Sequence, residues 1–61
     1  MPELAIAIVE LASDHGQVAV GDILRATKAP RATIKKRLSE LVREGLLQRV
    51  GKGRATRYSL A

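Results

Sequence analysis

Apolar residues recur at helical spacing in two stretches of this chain, and between and after those stretches the period shortens. In the first stretch Leu4, Ile8 and Leu11, flanked by Ala7 and Ala12, fall on one side of a 3.6-residue turn. Pro2 and Glu3 suit a helix first turn, because Pro lacks an N–H that would have no partner there and a carboxylate complements the helix dipole. Gly16 supplies a stop. The pattern predicts a helix over about 3–14 with Ala5, Ile6 and Val9 on the side away from the core. The alternation Gln17, Val18, Ala19, Val20 reads as a short strand, and the residues from Gly21 to Ala26 as a short helix over about 20–27 with Asp22 in its first turn.

Thr27, Lys28 and Ala29 form a turn, and Pro30 restarts a helix at its first position. Ile34, Leu38, Leu41 and Val42 follow at i, i+4, i+7 and i+8. Gly45 then ends the helix in the left-handed conformation with Leu46 as its apolar contact, which predicts a helix over about 30–44. Leu46 to Val50 and Thr56 to Leu60 have strand composition and are joined by Gly51, Lys52, Gly53, Arg54 and Ala55, so they predict a β-hairpin with a flexible basic tip. No repeat, low-complexity tract or linker interrupts the 61 residues, which read as one domain over 1–61 with a small core and modest stability. So short a chain reads as a domain excised from a larger protein.

Charge changes the picture. All eleven Lys and Arg residues lie at or beyond Arg25, whereas the preceding residues carry Glu3, Glu10, Asp14 and Asp22. From Arg25 onward, eleven basic residues stand against Glu40 and Glu44, a net charge of +9. A basic stretch of this kind is the footprint of a phosphate-bearing partner, because each cation near a polyanion releases condensed counterions. On a helical wheel the side opposite Ile34 and Leu38 carries Ala32, Lys36, Ser39, Glu40 and Arg43, with Lys35 at its edge and Arg31 and Thr33 in the first turn.

Other chemistries fall away. With no Cys there is neither a disulfide framework nor a thiolate metal site, and the acidic residues lack metal-ligand spacing. His15, alone beside Gly16, is a solvated or capping residue. No nucleophile, acid and base group together, so neither enzymatic activity nor a cofactor is expected. Gly51-Lys52-Gly53 lacks the length and the terminal Lys-Ser or Lys-Thr of a P-loop. Leu4 to Ala12 is too short to span a bilayer and lacks a signal-peptide leader, so a cytoplasmic protein without membrane contact is expected. Tyr58 is the one aromatic residue, which argues against a single-strand stacking platform and for a duplex.

The element order is helix, short strand, helix, turn, helix, hairpin. Ala29-Pro30-Arg31-Ala32-Thr33-Ile34, Leu38-Ser39-Glu40-Leu41 and the exit Gly45-Leu46-Leu47 resemble the recognition-helix signature of bacterial and archaeal winged helix-turn-helix regulators. The run from Arg49 to Leu60 is similar to the wing of the same family. The resemblance implies an α+β winged helix-turn-helix fold of three helices with a short strand and a C-terminal hairpin wing. It also implies double-stranded DNA binding in transcriptional regulation, with the third helix in the major groove and wing residues 51–55 on the backbone or minor groove. It assigns DNA contact to Arg31, Thr33, Lys35, Lys36, Lys52 and Arg54, and Arg37 is expected among the DNA-binding residues with them. Two positions depart from the pattern: Pro30 stands where a capping Ser is frequent, and Lys28 where Gly is common, which would strain a left-handed backbone. The double-proline, aromatic wing of the left-handed-DNA binders is missing. A different reading is a protein-interaction winged helix that meets an acidic protein surface. On the first helix, Ile6 and Val9 read as a docking stripe for a second copy or a parent domain.

Overall fold

The computed structural model describes residues 3–61. Three helices, α1 (Glu3–His15), α2 (Val20–Ala26) and α3 (Arg31–Arg43), precede an antiparallel hairpin of β1 (Leu47–Val50) and β2 (Arg57–Leu60). A single 3-10 turn, Gly53–Ala55, sits between the strands. The helical opening assigned to Pro2 lies outside the described residues.

Each helix ends where its local chemistry changes. Gly16 adopts φ 83 and its N–H still donates to Ala12 O at 2.9 Å, closing α1. At the start of α2 the Asp22 carboxylate accepts from Ala19 N–H at 2.9 Å. Only this half of a capping box exists, because Ala19 has no side-chain acceptor to return the bond. Thr27 ends α2 in extended backbone, its hydroxyl and its N–H both donating to Ile23 O. Pro30 is the extended N-cap of α3 rather than its first helical residue, and its carbonyl accepts from Ile34 N–H at 3.0 Å. Lys28 carries no strain, since among the described residues only glycines have positive φ. At the far end Gly45, φ 81, donates to Val42 O at 3.1 Å and Leu46 N–H to Leu41 O at 3.0 Å. This paired arrangement turns the chain sharply out of α3 into β1.

The core is one cluster of Ala5, Ile8, Ala12, Val18, Ile23, Ile34, Leu38, Leu41, Leu47 and Tyr58, with no buried polar or charged residue among those described. Helix α3 supplies Ile34, Leu38 and Leu41 as the apolar spacing requires, and it packs on α1, α2 and β1. At 1.5 Å per residue its thirteen residues run about 20 Å, almost the full width of a molecule measuring 24 × 22 × 21 Å.

Helix α1 is rotated from the sequence expectation. Ala5, Ile8 and Ala12 form its buried stripe, with Leu4 and Leu11 half-buried on one flank and Val9 half-buried on the other. Ala5, expected outside, is 3% exposed, and Val9 packs against the core, so Ile6 at 44% exposure is left without Val9 as a partner in an outward stripe. The physical reason is size: two alanines let α1 approach its neighbours closely, and larger residues then fill the flanks.

The short strand expected at 17–20 contracts to a single bridge. Val18 N–H donates to Tyr58 O and Tyr58 N–H to Val18 O, both at 2.8 Å, while Val20 already belongs to α2. In the hairpin, Leu47 pairs with Leu60 and Arg49 with Tyr58. Directly opposed residues share a face, so Leu47, Arg49, Tyr58 and Leu60 lie on the side that meets the helices. The tip is built rather than loose: Ala55 N–H donates to Lys52 O at 3.0 Å, and Thr56 donates to Gly53 O through its N–H at 3.2 Å and its hydroxyl at 2.7 Å.

Gly45 and Gly51 should therefore respond differently to alanine. A Cβ on Gly45 meets nothing within 4 Å, so only the left-handed strain of about 1–2 kcal/mol is expected. A Cβ on Gly51, φ +84, falls 2.6 Å from the Ala55 carbonyl oxygen. Gly51→Ala should thus lower stability more and displace the amide resonances of 52–56. Urea denaturation with an amide shift map checks both, and equal losses with an unmoved wing tip would contradict the steric argument.

Candidate nucleic-acid interface

The N-terminal half of α3 and the inward edge of the hairpin face one another across an open cleft of about 380 Å³, backed by the start of α2. Four cations line it: Arg31 and Lys35 from α3, Arg49 from β1 and Arg54 from the tip, beside Thr56 and Tyr58. The convergence follows from local geometry. At 100° per residue, Arg31 and Lys35 lie on one flank of the Ile34, Leu38 and Leu41 stripe. The 3-10 turn brings Arg54 back over the cleft, and strand alternation places Arg49 on the Tyr58 side of the hairpin.

Arg49 is the residue the sequence reading passed over. Its guanidinium carbon lies 6.0 Å from the centroid of the Tyr58 ring, within reach of a cation–π attraction. The signal was available in the alternation: Leu47 and Tyr58 are both core residues, and an arginine two positions after the first shares their face.

The remaining expected residues divide. Lys36 is exposed on the outer face of α3, with Ala32, Ser39 and Arg43 exposed beside it. Lys52 is exposed at the wing tip and does not line the cleft. Thr33 and Arg37 are half-buried on the flank of α3 opposite Arg31 and Lys35. Arg37 donates to Glu40 at 2.8 Å, and its buried Nε has no partner. The structure therefore gathers Arg31, Lys35 and Arg54 with Arg49, and holds Arg37 apart.

Among the described residues, only Arg25 and Arg37 have a carboxylate within ion-pair distance, on Asp22 at 2.6 Å and Glu40 at 2.8 Å respectively. No acidic side chain lines the cleft, so its four cations face solvent uncompensated. The Asp22 carboxyl lies below its usual range, first because Ala19 N–H donates to it and then because Arg25, Arg57 and His15 are near. Glu40 is lowered by the hydrogen bond from Arg37, with Lys36 and Arg43 adding to it.

A three-helix body with a C-terminal hairpin, its third helix and wing lining a cationic cleft, defines a winged helix-turn-helix domain. Residues 2–61 match the family model described as "Transcriptional regulator DIP2311-like, C-terminal domain", and the chain belongs to that family. The crystal structure of the DIP2311 protein from Corynebacterium diphtheriae is similar at TM-score 0.89 and 34% identity, over 97% of this chain and 11% of that one. This chain thus spans about a tenth of that protein's length. The solution structure of a DNA-binding protein from Sulfolobus islandicus has the same fold, at TM-score 0.79 and 21% identity, over 100% of this chain and 98% of that one. No curated protein matches the chain. No helix among the described residues is long and apolar enough to cross a membrane.

Because the carboxyl of Asp22 is lowered from 3.8 in the folded state, its contribution to stability is complete above that value and is lost as pH falls through the lower folded value. An NMR titration should place the Asp22 midpoint below 3.8. Asp22→Ala should lower the neutral-pH Tm and remove part of the acid sensitivity. An unshifted midpoint would show that the bond from Ala19 does not hold the start of α2.

Proposed function

We propose that this domain binds double-stranded DNA in transcriptional regulation, with α3 in the major groove and wing residues 51–55 along the backbone or minor groove. The observation that carries the reading is the convergence of unpaired cations from α3 and the wing on one cleft with no acidic lining. The acidic residues Glu3, Glu10 and Asp14 belong to α1, on another element. A helix of about 10–12 Å diameter suits a major groove roughly 12 Å wide. The family's description as transcriptional regulators and the Sulfolobus neighbour's as a DNA-binding protein agree with this function.

In this arrangement Lys36, on the outer face of α3, meets base edges with Ala32 and Ser39 beside it. Arg31 and Lys35 reach bases and backbone on the wing side, and Thr33 donates from the first turn. Arg37, on the opposite flank, contributes through Nη2, since Nη1 donates to Glu40 and Nε is buried. Lys52 and Arg54 hold the backbone. Ile6, with Val9 half-buried against the core, is the outward apolar residue of α1 for contact with a second copy or a parent domain. A cytoplasmic location belongs to the same proposal.

Fluorescence anisotropy with a mixed-sequence duplex tests the function. Contact with five or six phosphates gives a slope of log K against log salt of about −5. Affinity that stays flat between low and physiological salt would contradict the electrostatic basis, and preference for a polyacidic protein over duplex at equal ionic strength would move the function to protein contact.

Substitution should separate the roles. Lys36→Ala or Arg31→Ala should cost about 1–3 kcal/mol on a preferred duplex and relax preference at one base pair. Lys52→Ala and Arg54→Ala should weaken all duplexes by similar factors, because backbone contacts carry no sequence information. A panel of duplexes differing at single positions reads the difference, and uniform losses for all four variants would remove base readout from α3.

A further inference from the structure

We propose that the cleft between α3 and the wing is a seat for a phosphodiester, and that Arg49, on the inward face of the hairpin, is the side chain that grips it. The proposal rests on the duplex-binding reading and adds to it a contact from the base of the wing, apart from the α3 face and the wing tip.

The strand partner of Arg49 is Tyr58, which is 8% exposed and fixed to Val18 by two backbone hydrogen bonds. The ring under the guanidinium is therefore part of the core, and a cation stacked on an immobile ring loses less freedom on binding than a lysine at a loop tip. The planar fork of arginine also matches two oxygens of a phosphate, which a point charge does not.

The cleft gives that fork its partner. Arg31 and Lys35 stand on the α3 side and Arg54 on the tip side, and no carboxylate lines the space between. Thr56 also lines it, but its hydroxyl already donates to Gly53 O at 2.7 Å. Four cationic donors thus face a space with no anionic acceptor, the reverse of a site for a cation. An anion with several oxygens satisfies the arrangement. At about 380 Å³ the open cleft admits a backbone phosphate with its neighbouring sugars, and equally a free phosphorylated molecule. Both share the same phosphate chemistry, so the experiment must separate them.

The test uses the whole chain, wild type and with Arg49→Gln or Arg49→Lys, titrated by calorimetry with a mixed-sequence duplex and separately with sodium pyrophosphate. Arg49→Gln should weaken duplex binding about tenfold to hundredfold, as loss of a charge-assisted bidentate contact implies, and reduce the salt slope by about one. Arg49→Lys should keep the slope but recover only part of the affinity. Pyrophosphate should shift the Arg49 side-chain N–H resonance and compete with duplex. Arg49 is exposed, so the fold should survive Arg49→Gln; should its Tm fall, Arg49→Lys, whose stem still covers Tyr58, decides by the same slope and affinity. Duplex binding by Arg49→Gln at wild-type affinity and slope would overturn the seat and leave the duplex function standing. Pyrophosphate binding at Arg49 without any duplex binding would overturn both and assign the cleft to a free phosphorylated ligand.

Discussion

The reciprocal hydrogen bonds between Val18 and Tyr58 are the constraint on which the functional geometry depends. Each residue donates to and accepts from the other at 2.8 Å, and both side chains are in the core. A two-stranded hairpin alone is marginal in water. This bridge gives β2 a second backbone partner in the segment between α1 and α2, and the buried Tyr58 ring ties the same strand to the helices. The wing is thereby held at a fixed distance from α3, and the cleft between them has definite walls. Without that anchor Arg49 and Arg54 would sample many positions relative to Arg31 and Lys35.

Segregation of charge follows from the same arrangement. Helix α1 and β2 pack together on one side of the core, and α3 presents its outer face on another. The core holds no charged residue among the described residues, so beyond the Val18–Tyr58 bridge it is apolar packing that decides which faces remain outside. The consequence is a surface on which nine of the eleven Lys and Arg residues have no carboxylate partner among the described residues. Uncompensated like charge disfavours the isolated domain and favours association with a polyanion.

Much of this was legible in the residues. The Ile34, Leu38, Leu41 spacing and Gly45 located α3 and its exit, since a buried stripe and a left-handed glycine leave little freedom. The hairpin was legible from composition, and the winged helix-turn-helix from the order of elements. What failed was the orientation of α1: periodicity weights large residues, whereas close packing chose Ala5 and Ala12 for the centre of the buried stripe. The short strand was overread because its one pairing depends on Tyr58, forty residues further along. The cleft itself was only half legible. Arg31, Lys35 and Arg54 were named from the helix and the tip, but Arg49 belongs with them through register, which a single strand does not reveal. Arg37 lay in the same basic run, and its bond to Glu40 holds it on the flank of α3 away from the cleft.

In the proposed function, duplex DNA meets the face formed by α3 and the wing. An amide chemical-shift map of the isotope-labelled domain with a short mixed-sequence duplex tests it most directly. The largest changes are expected at 31–36 and 49–56, with α1 residues 3–12 nearly unmoved. Changes concentrated on α1, with those two segments unperturbed, would contradict it.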